Sequence, residues 1–144
     1  DLVVHQSQLR GINLEGPIIA NIIDELPIIS IAAAFAIGNT TIRDAVELRI
    51  KESDRLKAIS DGFKILGVKH DNFDDGMKIY GNSGLKSNPD PIIINSQHDH
   101  RIAMSFLIAG LKSSQPIQVN QCKNIFTSFG LQAAISYALR CINL

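Results

Sequence analysis

A short charged run near the middle of the chain carries the residues best suited to chemistry. Lys51, Glu52 and Arg55 lie in the sequence KESDR at residues 51–55, where two cations flank one acid. Residues four apart lie on the same side of a helix, so Lys51 and Arg55 can act together if the first turn is regular. A helix N-terminus adds free N–H groups and a partial positive charge. The run predicts either a phosphate or carboxylate site, or an ordinary solvated helix end with salt bridges.

The same arrangement recurs later in the chain. Asp99, His100 and Arg101 precede an apolar series at residues 102–108 that is typical of a buried helix. Taken alone, Asp99 is interpreted as a helix cap and His100 as an ordinary hydrogen-bonded histidine. Together with Arg101, however, they make a second helix start that is compatible with an anion.

A third acidic helix start lies near the beginning of the chain, where Asp24 and Glu25 precede Pro27. If the three helices pack in parallel on one side of a sheet, their N-termini meet at one edge. Carboxylates beside several cations can be held ionised for proton abstraction, and a more shielded carboxyl can serve as an acid. The sequence therefore predicts a cleft for a small, multiply anionic substrate, formed by Asp24, Lys51, Glu52, Arg55, His100 and Arg101.

The elements that must position these groups alternate between helix and strand. An extended run at residues 2–5 and an apolar segment at 17–23 come first. We expect helices at residues 27–37, 53–66, 99–111 and 132–141, and strands at 39–45, 68–73, 77–80, 92–95 and 117–119. A polar loop at 81–90 separates the two halves. This alternation predicts an α/β (α+β) fold with helices packed against a sheet.

Composition excludes several classes of function. The 144 residues are 45% hydrophobic and 19% charged, which is typical of one soluble globular domain. Its 14 basic and 14 acidic residues cancel, so bulk electrostatics favours neither nucleic acid nor an anionic membrane as a partner. Gly38, Arg43 and Asp44 interrupt the best candidate for a membrane span, which begins at Ile18.

No motif indicates a cofactor. The sequence has no Walker loop, no glycine-rich dinucleotide turn and no His/Cys metal pattern, and Ser53 lies in no nucleophile elbow. Cys122 and Cys141 have no spacing that suggests a zinc site or a disulfide framework, so we expect a cytoplasmic protein. Because the first residue is Asp1 rather than Met, we also expect the chain to be a piece of a longer protein.

Three segments together resemble a known enzyme family. Residues 24–34, residues 42–56 reading IRDAVELRIKESDRL and residues 99–104 reading DHRIAM are similar, in order and spacing, to the C-terminal portion of 5-enolpyruvylshikimate-3-phosphate (EPSP) synthase. KESDR combined with DHRIAM is specific to that family. The similarity extends from the start of the chain to about Phe129. Beyond that point Gly130 and Leu131 stand where the family usually has proline and an aromatic residue.

The resemblance implies a reaction. A 3-phosphoshikimate 1-carboxyvinyltransferase moves the enolpyruvyl group of phosphoenolpyruvate to the 5-hydroxyl of shikimate 3-phosphate and releases phosphate, in aromatic amino-acid biosynthesis. No metal or organic cofactor is implied. Glyphosate is expected to compete at the phosphoenolpyruvate site.

The resemblance also implies roles for individual residues. Asp24 would take the proton from the 5-hydroxyl and bind shikimate 3-phosphate, together with Lys51. Glu52 and Lys51 would protonate and deprotonate the methylene carbon of phosphoenolpyruvate. The phosphate and carboxylate of phosphoenolpyruvate would be held by Lys51, Arg55, His100 and Arg101. These cations suit a reaction in which charge changes during addition and elimination.

The family fold consists of two similar domains, each built from repeated βαβαββ units, which close on the substrates. We therefore expect residues 1–144 to form part of one domain, with one unit at about 1–81 and an incomplete unit at about 92–144. The N-terminal portion of the family, which grips shikimate 3-phosphate, is expected to be absent. The parent enzyme is expected to be monomeric, and the chain alone inactive.

Two alternatives stay open. One is a non-catalytic fragment that binds phosphoenolpyruvate-like anions weakly or serves only as a structural remnant, because catalysis needs both substrates oriented together. The other is UDP-N-acetylglucosamine enolpyruvyl transferase, which shares the fold and the donor. That enzyme lacks the KESDR and DHRIAM pair, and no loop here offers its reactive cysteine, so it ranks lower.

Overall fold

A computed structural model describes residues 7–82 and 91–123, together with Asp1, Val3, His5, Leu85 and Ile125. The predicted helix at residues 132–141 lies outside the described residues. So do much of the extended run predicted at residues 2–5 and most of the loop predicted at residues 81–90.

The first half of the chain forms a four-stranded mixed sheet. Its strands are β1 (Asn13–Leu14), β2 (Asn39–Ile42), β3 (His70–Phe73) and β4 (Gly76–Tyr80). The spatial order is β1-β2-β4-β3, with β1 parallel to β2 and the remaining neighbours antiparallel. The hairpin between β3 and β4 turns at residues 74–75, as the sequence predicts.

Helices connect these strands in the predicted order. Helix α1 (Ile18–Ile22) continues through a 3₁₀ turn (Ile23–Glu25) into α2 (Leu26–Ala34), and together they join β1 to β2. A second 3₁₀ turn (Val46–Ile50) leads to α3 (Arg55–Leu66), which joins β2 to the hairpin. The described residues thus contain one complete βαβαββ arrangement.

A second, shorter arrangement begins after residue 90. Strand β5 (Ile92–Asn95), helix α4 (His100–Gly110) and strand β6 (Ile117–Asn120) form a parallel βαβ unit. The predicted α/β fold is therefore confirmed. The division of the chain into two units at about 1–81 and 92–144 remains a prediction.

The structure corrects two boundaries near the charged residues. Helix α3 begins at Arg55 rather than at Ser53, because the Asp54 side chain accepts a hydrogen bond from the Lys57 backbone N–H and caps the helix. Strand β2 ends at residue 42 rather than 45, because Asp44 has φ of 57° in the left-handed region. Lys51 and Glu52 therefore precede the helix and do not lie in its first turn.

One apolar core joins both sheets to the three long helices. The rings of Phe63 on α3 and Phe106 on α4 meet edge to face with centroids 6.4 Å apart, and both side chains are fully buried. The same cluster includes Leu26 from α2, Ile79 from β4 and Ile94 from β5. This packing brings the N-terminal ends of α2, α3 and α4 close together.

In the part of the chain that the structure describes, no helix is both long and apolar enough to cross a bilayer.

The packing of α3 on α4 depends on Gly62. A Cβ atom at position 62 would lie 2.1 Å from Cζ of the buried Phe106 ring. We expect Gly62→Ala to reduce the free energy of unfolding by about 1–3 kcal/mol, because a methyl group would overfill this contact. Urea unfolding would measure the change.

Gly110→Ala is the matched control, since a Cβ there would come no closer than 3.9 Å to Ile117. We expect that variant to be as stable as the unsubstituted chain or more stable by up to about 1 kcal/mol, because alanine favours helix. Equal stability of the two variants would contradict the proposed tight contact at Gly62.

Candidate active site

Charged side chains from three helix starts meet at one edge of the fold. Arg55, the first residue of α3, donates to Asp24 before α2 and to Asp99, the N-cap of α4, over 2.9 and 2.7 Å. Arg101 on α4 donates to Glu25 over 3.0 Å. We call the connected side chains the charged cluster; they are Asp24, Glu25, Glu47, Lys51, Glu52, Arg55, Asp99 and Arg101.

Arg55 is the centre of the charged cluster. Its side chain is 1% exposed, and its Nε, Nη1 and Nη2 atoms donate to Asp99, Asp24 and Glu52, respectively. Burial works to lower the pKa of Arg55, but the hydrogen bond and charge of Asp99, with Asp24 and Glu52, raise it above the usual guanidinium value. The site therefore contains a permanent buried cation.

Asp99 is the buried counter-ion of Arg55. It is 0% exposed, and its Oδ2 accepts hydrogen bonds from Arg55 Nε at 2.7 Å and Ser53 Oγ at 3.1 Å. Its Oδ1 accepts the backbone N–H groups of Arg101 and Ile102 and so caps α4. The sequence indicated the cap but missed the ion pair, because the two partners are separated by 44 residues.

Lys51 lies in extended backbone after the second 3₁₀ turn. Its Nζ is 2.5 Å from Glu47 Oε1 and 3.6 Å from Asp24 Oδ1. The hydrogen bond that Lys51 donates to Glu47 raises the pKa of Lys51, desolvation lowers it, and the Asp24 charge raises it further. Lys51 is therefore a cation at neutral pH. Glu47 was not predicted, although its i,i+4 spacing from Lys51 is visible in the sequence.

Asp24 has cations on both oxygens. Oδ1 contacts Arg55 and Lys51, and Oδ2 is 3.8 Å from Arg101 Nη2. Burial works to raise the pKa of Asp24, but the hydrogen bond from Arg55 and the charges of Arg101 and Lys51 lower it below the ordinary aspartate value. Asp24 is therefore ionised at neutral pH and able to accept a proton.

The remaining predicted residues lie around this centre. Glu52 is half-exposed and contacts Arg55 Nη2 over 2.5 Å. Arg101 Nη1 also donates to the backbone oxygen of Asp24 over 2.9 Å. His100 is the first residue of α4 and is half-buried. Among the described residues, no hydrogen bond links its imidazole to the charged cluster.

A shallow groove of about 160 Å³ opens beside the charged cluster, between α2 and α4. Asp24, Glu25 and Arg101 line its polar end, while Ile28 and Met104 are among its apolar lining residues. The part of the chain that the structure describes has no group of three or more His, Cys, Asp or Glu side chains arranged to hold a metal ion.

The local charge balance limits how the cluster can bind an anion. Five carboxylates surround three cations, so each cation already has an acidic partner. Asp24 and Glu52 are about half-exposed, whereas Asp99 is fully buried. The guanidinium of Arg55 is therefore enclosed on the side of Asp99 and nearest to solvent where Asp24 and Glu52 contact it.

The contacts of Asp24 predict that part of the free energy of unfolding depends on pH. Because its folded-state pKa is lowered, its contribution is present above the ordinary aspartate pKa of about 4 and is lost as the pH falls through the lower folded-state value. We expect Asp24→Asn to cost about 1 kcal/mol or less at neutral pH, because the side chain is 45% exposed.

Urea unfolding of the unsubstituted chain and of Asp24→Asn, from about pH 7 to about pH 2, would measure the difference in their free energies of unfolding. The difference between them should disappear at the acid end. A difference that grows as the pH falls would contradict the assigned ion pairs.

Two curated relatives of this chain carry the same enzyme name. The chain is 46% identical over 129 residues to a 3-phosphoshikimate 1-carboxyvinyltransferase of Ruthia magnifica subsp. Calyptogena magnifica, covering 90% of this chain and 29% of that protein. The enzyme of the same name from Legionella pneumophila strain Paris is 48% identical over 129 residues, with the same coverage. The chain thus spans about 29% of the length of these relatives.

Solved structures give the same result. The structure of EPSP synthase from Acinetobacter baumannii superimposes with a TM-score of 0.79 at 41% identity, over 86% of this chain and 28% of that chain. A second structure of the Acinetobacter baumannii enzyme matches with a TM-score of 0.79 at 36% identity, over 91% of this chain and 30% of that one. The family model described as EPSP synthase (3-phosphoshikimate 1-carboxyvinyltransferase) matches residues 1–131, and the chain therefore belongs to the EPSP synthase family.

Proposed function

We propose that this chain supplies the phosphoenolpyruvate-binding and proton-transferring side of an enolpyruvyl transferase that acts on shikimate 3-phosphate. The observation that carries the proposal is the convergence of Lys51, Arg55 and Arg101 on the exposed carboxylates Asp24 and Glu52. Permanent cations would bind a multiply anionic donor, and the carboxylates would move protons beside it.

Phosphoenolpyruvate carries a phosphate and a carboxylate, so it needs more than one cation. The Nη1 and Nη2 atoms of Arg55 contact Asp24 and Glu52, which ligand oxygens would replace. The Arg101 side chain beside them is 29% exposed. We assign the phosphate and carboxylate of the donor to Lys51, Arg55, His100 and Arg101. His100 is included because it is the first residue of α4, next to Arg101.

Proton transfer is assigned to the two exposed carboxylates. In the addition step the 5-hydroxyl oxygen bonds to C2 of phosphoenolpyruvate, its proton passes to Asp24, and the methylene carbon gains a proton from Glu52 acting with Lys51. In the elimination step the bond from C2 to the phosphate oxygen breaks, the methyl carbon returns a proton to Glu52 as the C=C bond forms again, and the leaving phosphate carries away the proton held by Asp24. Asp24 is ionised at neutral pH, which is the state that a base requires, and Asp24 with Lys51 would also contact shikimate 3-phosphate.

The rest of the active site would come from outside this chain. Both substrates must be oriented together, and the chain spans about 29% of its relatives, so we expect it to be inactive alone. We further propose that it forms part of one of two domains of a monomeric cytoplasmic enzyme, and that glyphosate competes with phosphoenolpyruvate. The reported relatives carry the name 3-phosphoshikimate 1-carboxyvinyltransferase, which favours this acceptor over UDP-N-acetylglucosamine.

A non-catalytic reading has one observation in its favour. The five carboxylates of the charged cluster leave no unpaired cation within it, and on this reading the chain alone does not bind phosphoenolpyruvate. Calorimetry with phosphoenolpyruvate separates the readings. Heat at millimolar ligand would support an anion site, and no heat would leave a structural role for the isolated chain.

The role of Glu52 can be tested after joining this chain to the N-terminal portion of a relative. We expect Glu52→Gln to lower kcat for phosphate release by about 10²–10⁴-fold, because the amide cannot exchange a proton with the methylene carbon. KM for phosphoenolpyruvate should change much less.

Asp61→Asn is the matched control, since Asp61 lies on the outer surface of α3, the helix that follows Glu52, and pairs with Lys57 and Lys64. It should keep the activity of the unsubstituted protein. If Glu52→Gln is as active as Asp61→Asn, Glu52 has no role in proton transfer.

A further inference from the structure

Asp99 differs from the other acids of the charged cluster in its burial. Asp24 and Glu52 are 45% and 50% exposed, whereas Asp99 is 0% exposed. Among the described residues, Asp99 and Arg55 are the only buried charged side chains. Burying a carboxylate costs free energy unless it is paired with a cation and fully hydrogen-bonded. The partners of Asp99 therefore explain how it can be buried.

The partners of Asp99 come from two elements that are far apart in the sequence. Oδ2 receives Arg55 Nε and Ser53 Oγ, which belong to the start of α3. Oδ1 receives the backbone N–H groups of Arg101 and Ile102 at the start of α4. One carboxylate therefore fixes the position of α3 relative to α4 at the point where both present a cation.

The contact also fixes the direction of the guanidinium. Asp99 holds Nε at 2.7 Å and lies 3.5 Å from Nη2, which is the side-on edge of Arg55. The outer Nη1 and Nη2 donors then point to Asp24 and Glu52, the exposed carboxylates. When those carboxylates give way to a ligand, Asp99 is the remaining anchor of the buried cation.

We infer that Asp99 is a positioning residue, which orients Arg55 toward the bound anion and couples it to the placement of Arg101. The inference rests on the proposed function, since it assigns Arg55 and Arg101 to phosphoenolpyruvate. Asp99 itself does not contact the substrate.

Asp99→Asn separates the charge of the residue from its capping role. The amide oxygen can still accept the backbone N–H groups of α4, whereas an NH₂ group at the Oδ2 position would face the Arg55 Nε donor. Asp54→Asn is the matched control, because Asp54 caps α3 by accepting the Lys57 N–H and does not contact the Arg55 side chain.

Two measurements on this chain test the inference. In ¹H–¹⁵N spectra we expect a slowly exchanging Nε–H signal of Arg55 that Asp54→Asn retains and Asp99→Asn loses. In titrations with phosphoenolpyruvate we expect Asp99→Asn to raise Kd by about tenfold, the equivalent of one lost charge-assisted hydrogen bond, with little change for Asp54→Asn. An unchanged Nε–H signal, or equal affinities of the two variants, would overturn the inference.

A second pair of variants covers the case in which Asp99→Asn fails to fold, because removing one partner leaves the other charge buried. Arg55→Gln leaves Asp99 with the Ser53 hydroxyl and the backbone N–H groups of α4 as hydrogen-bond donors, and the double variant Arg55→Gln with Asp99→Asn buries neither charge. If Asp99 acts through Arg55, the two should bind phosphoenolpyruvate equally. A further loss of about tenfold in the double variant would show that Asp99 acts independently and would overturn the inference.

These readouts also separate the inference from the proposed function. If the unsubstituted chain retains the protected Arg55 signal but does not bind phosphoenolpyruvate, the assigned ligand is wrong. The dependence of the Arg55 signal on Asp99 would still decide whether the carboxylate positions the guanidinium.

Discussion

The buried pair of Arg55 and Asp99 is the interaction on which the site depends. Removing two charges from water is expensive, and their attraction compensates only when both are fully hydrogen-bonded. Asp99 meets this condition with the Ser53 hydroxyl and the first N–H groups of α4, and Arg55 meets it with Asp24 and Glu52. The pair therefore restricts how α3 and α4 can pack, and it places a permanent cation at their joined ends.

The exposure of the surrounding carboxylates then determines what the cation can do. Asp24 and Glu52 are near half exposure and hold the outer edge of the guanidinium, and under the proposed function ligand oxygens replace them there. The same carboxylates are the groups proposed to move protons. Because Asp99 needs no change in position, the Arg55 guanidinium is oriented before the ligand arrives. Preorganised charge of this kind is the main means by which enzymes stabilise charged transition states.

Local sequence signals predicted most of the fold but only part of the site. Several elements have a local physical cause and so were predictable. They are the alanine-rich helix before Gly38, the end of α3 at the left-handed Gly67 and the turn before Gly76. The cations Lys51, Arg55 and Arg101 were also predictable, because the runs KESDR and DHR are local patterns in the sequence. The pairing of Arg55 with Asp99 depends on the packing of helices 44 residues apart, which no local pattern specifies. The start of α3 was misplaced because Ser53 and Asp54 are both good caps, and Ser53 instead donates to Asp99.

The most direct measurement of the central claim is a map of where phosphoenolpyruvate binds on this chain, by ¹H–¹⁵N spectra that include the arginine side chains. The account predicts that the largest shifts belong to Arg55, Arg101 and Lys51, while the Arg55 Nε–H stays protected by Asp99 throughout the titration. Shifts concentrated away from the three helix starts, or exposure of the Nε–H on binding, would contradict a ligand site organised by the buried pair.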